Sequence, residues 1–166
     1  MDFPLLEEQA ADPDAKIMIL CSPHNPVGRV WTKEELARVG EICKKNNVLV
    51  IADEIHSDLV YAGYVHTPFA LASDAPHLVC TSLGKTFNVA GLRLANIFSS
   101  SAELKKQYDQ EIDAYSYSAS NTFGLEMVQA AYSPEGEAWL EELLVYLQGN
   151  VEGVSEWCQK HNVGFT

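Results

Sequence analysis

The chain has 166 residues, a formal net charge of −12, and 47% hydrophobic and 10% aromatic residues. That length suits one domain and the start of another, able to bury roughly 70% of its unfolded surface, and the composition is that of an ordinary globular protein. The acidic balance argues against nucleic-acid and anionic-membrane partners.

Much of the negative charge falls on solvated helix faces, such as Glu135, Glu137, Glu141 and Glu142. No run approaches the roughly 18 apolar residues of a membrane span, and no basic-then-apolar signal opens the chain, so a reducing cytoplasm is the expected setting. Cys21, Cys43, Cys80 and Cys158 show neither zinc-pair nor CxxC spacing, so no metal site is expected. Cys21 and Cys80 lie in apolar runs and read as reduced core residues.

Residues 1–15 are acidic, and Pro4 and Pro13 bracket a short helix. Lys16–Cys21 is a continuous apolar run, the pattern of a strand buried on both faces. Ser22–Gly28 (SPHNPVG) breaks it with two prolines and a glycine. Thr32 and Glu35 form a capping box, and the helix they open carries Leu36, Val39, Ile42 and Cys43 on one face. Asn46 and Asn47 end it, and Val48–Ala52 is a second buried strand stopping at Asp53. A strand–helix–strand order predicts a parallel pair with a right-handed crossover.

Tyr61–Pro68 reads as an aromatic loop, Leu78–Thr81 as a third strand and Leu94–Ser99 as a fourth. Ser100 and Glu103 form a second capping box for a helix reaching about Tyr115. A polar loop at Ser116–Asn121 leads to a helix over Phe123–Tyr132. Ser133 caps a long helix with Pro134 in its first turn and Leu140, Leu143, Leu144 and Leu147 on one face. Gly149 and Asn150 interrupt that pattern, which Val151, Val154 and Trp157 can continue. Val163–Thr166 looks like the opening of a strand.

The chemistry gathers at Thr81–Leu92 (TSLGKTFNVAGL), just past a strand, where Lys85 stands among small and hydroxyl residues. A lysine that carries a carbonyl cofactor as a Schiff base needs partial shielding from water, so that its pKa falls and the neutral amine is populated. Asn25 and Asp53 likewise follow apolar runs. In open α/β sheets, ligands sit beyond the carboxyl ends of the strands. An amine, a carboxylate for a ring nitrogen and an amide donor are the groups that pyridoxal 5′-phosphate requires. Singly each has a plainer reading. Lys85 and Arg93 could be surface charges, Asp53 a helix cap, Asn25 a turn residue and His56 a structural histidine. Gly84-Lys85-Thr86 is not the end of a phosphate-binding P-loop, because Val79 occupies the position that motif gives to glycine.

Four stretches, SPHNPVGRVWTKEEL (Ser22–Leu36), ADEIHSDLVY (Ala52–Tyr61), SLGKTFNVAGL (Ser82–Leu92) and SNTFG (Ser120–Gly124), are similar to those of fold-type I pyridoxal-phosphate enzymes. The chain resembles the class I/II aminotransferase superfamily and, within it, the MalY/PatB group of cystathionine β-lyases (C–S lyases). The resemblance implies a three-layer α/β/α large domain around a mostly parallel sheet, with Lys85 as Schiff-base lysine and Asp53 at the pyridine nitrogen. It implies Asn25 and His56 near the phenolic oxygen, and Ser82 and Arg93 on the phosphate.

Two departures stand out. Gly84 replaces a serine that usually contacts phosphate, and Arg93 stands where close C–S lyases often have glutamine. The implied activity is β-elimination on cystathionine or related amino acids, with transamination as the alternative within enzymes. A homodimer is also implied. Family members are more than twice this length, so the resemblance makes residues 1–149 part of the large domain. Residues 150–166 become the helix leading into a small domain. A non-catalytic fragment of such an enzyme is the reading from a different class.

Overall fold

The computed structural model describes residues 1–117 and 121–164. Its centre is a four-stranded sheet in the order β1 (Ile17–Cys21), β2 (Leu49–Asp53), β3 (His77–Thr81) and β4 (Asn96–Ser99). The first three strands are parallel and β4 is antiparallel to β3. The parallel pairing of β1 and β2 is the one read from the strand–helix–strand order, and the α/β class with a mostly parallel sheet is the one the resemblance implied.

Strand parity divides the sheet into two unlike faces. Leu20, Val50, Ala52 and Val79 are buried on one face, beneath α1 (Phe3–Ala10), α2 (Lys33–Lys45) and α3 (Phe69–Ala72). α2 supplies Leu36, Val39, Ile42 and Cys43 to this core, the four residues its 3.6-residue spacing had singled out. Its capping box is formed, with Thr32 Oγ1 accepting from the Glu35 amide and Glu35 accepting from the Thr32 amide.

The other face corrects one expectation. β1 is not buried on both sides, since Ile17 is 57% and Ile19 72% exposed. β1 is the edge of the described sheet, and nothing among the described residues covers these two side chains. Cys21 is only half-buried for the same reason, and Cys80 is half-buried too, whereas Cys43 and Cys158 are buried.

Further boundaries shift. β4 starts at Asn96 rather than Leu94, because the Leu94 carbonyl is taken by the Ser82 hydroxyl. α5 (Ala102–Ala114) is capped by Ser101, whose hydroxyl accepts from the Leu104 amide. Ser100, the expected cap, instead accepts from the His77 amide and fastens the end of β4 to the start of β3. α6 (Thr122–Ala131) is capped by Asn121. α7 (Pro134–Lys160) runs unbroken through Gly149 and Asn150. Val163 and Gly164 belong to no helix or strand, and Phe165 and Thr166 lie outside the described residues, as do 118–120 of the expected polar loop and Ser120 of the SNTFG stretch.

Candidate functional site

The parallel strands end level with one another. Cys21 pairs with Asp53, and Asp53 with Cys80. Two further backbone bonds lock these ends laterally. The Ser22 amide donates to the Asp53 carbonyl at 2.9 Å, and the Glu54 amide to the Cys80 carbonyl at 2.8 Å. Three loops therefore leave the sheet from one fixed edge.

The first loop carries Asn25. Its ends are closed by His24 N–H to the Arg29 carbonyl and Gly28 N–H to the His24 carbonyl, each 2.7 Å. Gly28 has φ +69°, where a side chain would be strained. The Trp31 indole donates to the Cys21 carbonyl at 2.9 Å, and the Arg29 guanidinium lies 4.3 Å over its ring. Asn25 itself is exposed at the tip, with Asn25–Pro26 in the cis form.

The second loop begins at Asp53, half-buried, whose Oδ1 accepts from the Ile55 amide at 3.3 Å. Its charge reaches the neighbouring strand. Burial pushes the Cys80 thiol up, and the Asp53 and Glu54 carboxylates add to that rise. His56 is half-buried in the following turn, its carbonyl accepting from the Leu59 amide.

The third loop carries Ser82, Lys85 and Arg93. α4 (Leu83–Thr86) is a single turn capped by Ser82, whose hydroxyl accepts from the Gly84 amide at 3.0 Å and donates to the Leu94 carbonyl at 2.7 Å. That hydroxyl has one proton, and it is already used. Lys85 is exposed, so the described residues do not provide the shielding expected of it. After a short 3₁₀ turn at Ala90–Leu92, Arg93 adopts φ +52° and is exposed. Gly84 is tightly placed. An added Cβ would meet the Ala90 Cα at 3.2 Å and the Ser82 Oγ at 3.1 Å, so this turn has little room for the serine usual in the resembling family.

The structure brings Ser82, Lys85 and Arg93 onto one folded-back loop, and Asp53 and His56 onto the adjacent one. Among the described residues no hydrogen bond joins Lys85 to Asp53 or Asn25 directly. The link between loops is one residue further on, where the Thr86 hydroxyl donates to Asp58 Oδ2 at 2.8 Å.

Three features escaped the reading of the sequence. Glu54 is only 2% exposed; its Oε1 accepts from the Phe69 amide at 2.7 Å and its Oε2 pairs with His66 Nε2 at 3.1 Å. Parity could have found it, since Glu54 continues the buried series of Val50 and Ala52. The Thr86–Asp58 bond is the second. The third is the Asn121 side-chain amide, which donates to the Leu92 carbonyl at 2.6 Å and moors the end of the lysine loop to α6.

A family model described as aminotransferase class I and II matches residues 1–166. The cystathionine beta-lyase PatB of Bacillus subtilis is 39% identical over 154 residues, covering 91% of this chain and 40% of that protein. Protein MalY of Escherichia coli is 33% identical over 165 residues, covering 99% of this chain and 41% of that protein. Among solved structures, a PLP-bound C–S lyase from Staphylococcus hominis superposes with a TM-score of 0.88 at 36% identity, over 96% of this chain and 40% of that one. The chain thus spans about 40% of the length of the relatives it matches.

Proposed function

The chain belongs to the class I and II aminotransferase family, and we propose that the protein carrying it is a pyridoxal-phosphate-dependent carbon–sulfur β-lyase acting on L-cystathionine or related S-substituted cysteines. The observation that carries this reading is the shared edge of β1, β2 and β3, from which the loops bearing Asn25, Asp53 and Lys85 all depart. The donor set fits the cofactor in kind, since it contains an amine, a carboxylate, an amide and the Arg93 guanidinium. Bound there, pyridoxal phosphate supplies an aldehyde for an amine to bond and a protonated ring that withdraws electrons from the substrate α-carbon.

The residues divide the work. Asp53 would hold the proton on the ring nitrogen, and each unit by which it raised that nitrogen's pKa would be worth about 1.4 kcal/mol. Asn25 and His56 would serve the phenolic oxygen. Arg93 would serve the phosphate. Ser82 joins it only if its proton is redirected from the Leu94 carbonyl. Lys85 would hold the cofactor through its amine and, with that amine free, would serve as the general base for the substrate α-proton. The overall reaction breaks the Cβ–S bond, consumes one water, and releases a thiol, pyruvate and ammonia.

The test is pyruvate release from L-cystathionine with no keto acid added. The expected result is pyruvate from the native protein and none from Lys85→Ala. Turnover that requires an added keto acid would replace the lyase reading with transamination, which shares the early proton transfer from the α-carbon.

A second reading concerns the 166 residues taken alone. The exposure of Ile17, Ile19 and Lys85 favours a piece that does not catalyse without the rest of its enzyme. On this reading residues 1–149 are part of the large cofactor domain, and 150–166 lead into a small domain through the second half of α7. A homodimer in the cytoplasm, acting on amino acids, is part of the same proposal. No helix among the described residues is long and apolar enough to cross a membrane.

A further inference from the structure

α4 is four residues long, and a single helical turn has almost no stability of its own. Its orientation is decided by what grips it. Leu83 and Thr86, three positions apart, share one face and are each 2% exposed. Lys85 is exposed. Leu83 grips through apolar burial, which is not directional. Thr86 grips through a hydrogen bond from a side chain with a stiff first torsion, which is directional.

The acceptor is itself fixed. Asp58 lies in consecutive turns closed by Ser57 N–H to the Glu54 carbonyl at 2.9 Å and Leu59 N–H to the His56 carbonyl at 3.0 Å. Those turns grow directly from Asp53 at the end of β2. The turns that follow Asp53 thus carry Asp58, and the Asp58–Thr86 bond ties them to the helical turn on which Lys85 stands, one residue before Thr86. The neighbouring tether, Phe87 stacked on Trp139 at 5.4 Å between centroids, holds the same loop to α7 instead.

We infer that the Asp58–Thr86 hydrogen bond is a positioning device that sets the Lys85 amine relative to Asp53, so that the amine meets a carbonyl cofactor held by the rest of the site. The inference rests on the reading of Lys85 as the cofactor-bearing amine. Thr86 and Asp58 touch neither cofactor nor substrate in this account; they act through Lys85.

The test separates covalent capture from the non-covalent cradle in the whole protein that carries this chain. Pyridoxal phosphate can bond to Lys85, its aldehyde oxygen leaving as water. Pyridoxamine phosphate has an amine in place of the aldehyde and cannot. Thr86→Val is expected to weaken retention of pyridoxal phosphate and slow the appearance of its Lys85-dependent absorbance band, each about tenfold, while pyridoxamine phosphate binds as before. Thr86→Ser, which keeps the hydroxyl, is expected to restore both.

Equal losses for the two ligands would mean general damage to the cradle and would overturn the inference, as would no change for either. If Thr86→Val does not fold, Asp58→Ala removes the same bond from the less buried partner and is read by the same pair of ligands. Lys85→Ala guards the premise. A band that survives it would sink the reading of Lys85 itself, independently of what Thr86→Val does.

Discussion

Removing the Glu54 carboxylate is expected to free the loop that follows the candidate site. Phe69 is the first residue of α3, so its amide has no partner within the helix, and the preceding Pro68 offers no side-chain cap. Glu54, fifteen positions back, supplies the acceptor at 2.7 Å and takes His66 Nε2 with its second oxygen. Its side chain is 3% exposed, so water cannot easily replace it.

Glu54→Ala leaves the Phe69 amide and the His66 ring unpaired in the interior. Two buried groups lose their partner, at about 1–3 kcal/mol each, so the loss is about 4 kcal/mol. Glu54→Gln keeps an oxygen for Phe69, but its amide nitrogen must face His66 Nε2. The imidazole then carries its proton on Nδ1, which turns a buried acceptor that already lacks a partner among the described residues into a buried donor that lacks one. One unsatisfied buried group costs about 1–3 kcal/mol.

The assay is hydrogen exchange at the Phe69 amide, referred to amides in the middle of α2. Each 1.4 kcal/mol is about tenfold in opening, so the expected acceleration is about 100-fold or more for Glu54→Ala and about tenfold for Glu54→Gln. Unchanged Phe69 exchange in Glu54→Ala would refute the reasoning. So would an equal acceleration in α2, which would mark a global rather than a local effect.

Leu36→Ala, at a site 1% exposed beneath the sheet, is expected to cost about 2–5 kcal/mol in urea denaturation, while Leu71→Ala, 72% exposed, changes stability by less than about 0.5 kcal/mol. Burial pushes the Cys43 thiol above its ordinary 9.0, and burial with Asp53 and Glu54 does the same for Cys80. The folded state therefore holds these protons longer than the unfolded chain. Their contribution is fully present below the ordinary thiol value and is lost as pH rises through the higher folded values, so the urea midpoint is expected to begin falling as pH passes the ordinary thiol value and to go on falling above it. Cys43→Ala is expected to lower stability at neutral pH but to flatten that decline; an unchanged slope would remove Cys43 as its source.

The elements legible in the sequence are those that a repeating pattern or a local reciprocal contact specifies. α2 is the clearest case, since the Thr32–Glu35 box marks its start and the spacing of Leu36, Val39, Ile42 and Cys43 marks its buried face. β1 shows where that kind of reading stops. A run such as IMILC records that a strand suits an apolar setting, yet whether Ile19 is covered depends on what packs against it, which lies outside the strand's own residues. Ser100 and Ser101 are the same residue type side by side, and the choice between them as helix cap is made by the His77 amide, 23 positions away, which claims Ser100.

The same distinction runs through the candidate site. Asn25, Asp53 and Lys85 could be proposed from the sequence because each is a polar residue in the stretch just past an apolar run, where an α/β sheet places its ligands. The contacts that hold their loops together were not legible. They use backbone amides, a threonine and a second acid that look ordinary in sequence: Ser22 to Asp53, Glu54 to Cys80 and Phe69, Thr86 to Asp58. A site's chemistry is carried by residue types, which sequence displays. Its geometry is carried by pairings between distant positions, which emerge only once the sheet has aligned its strand ends.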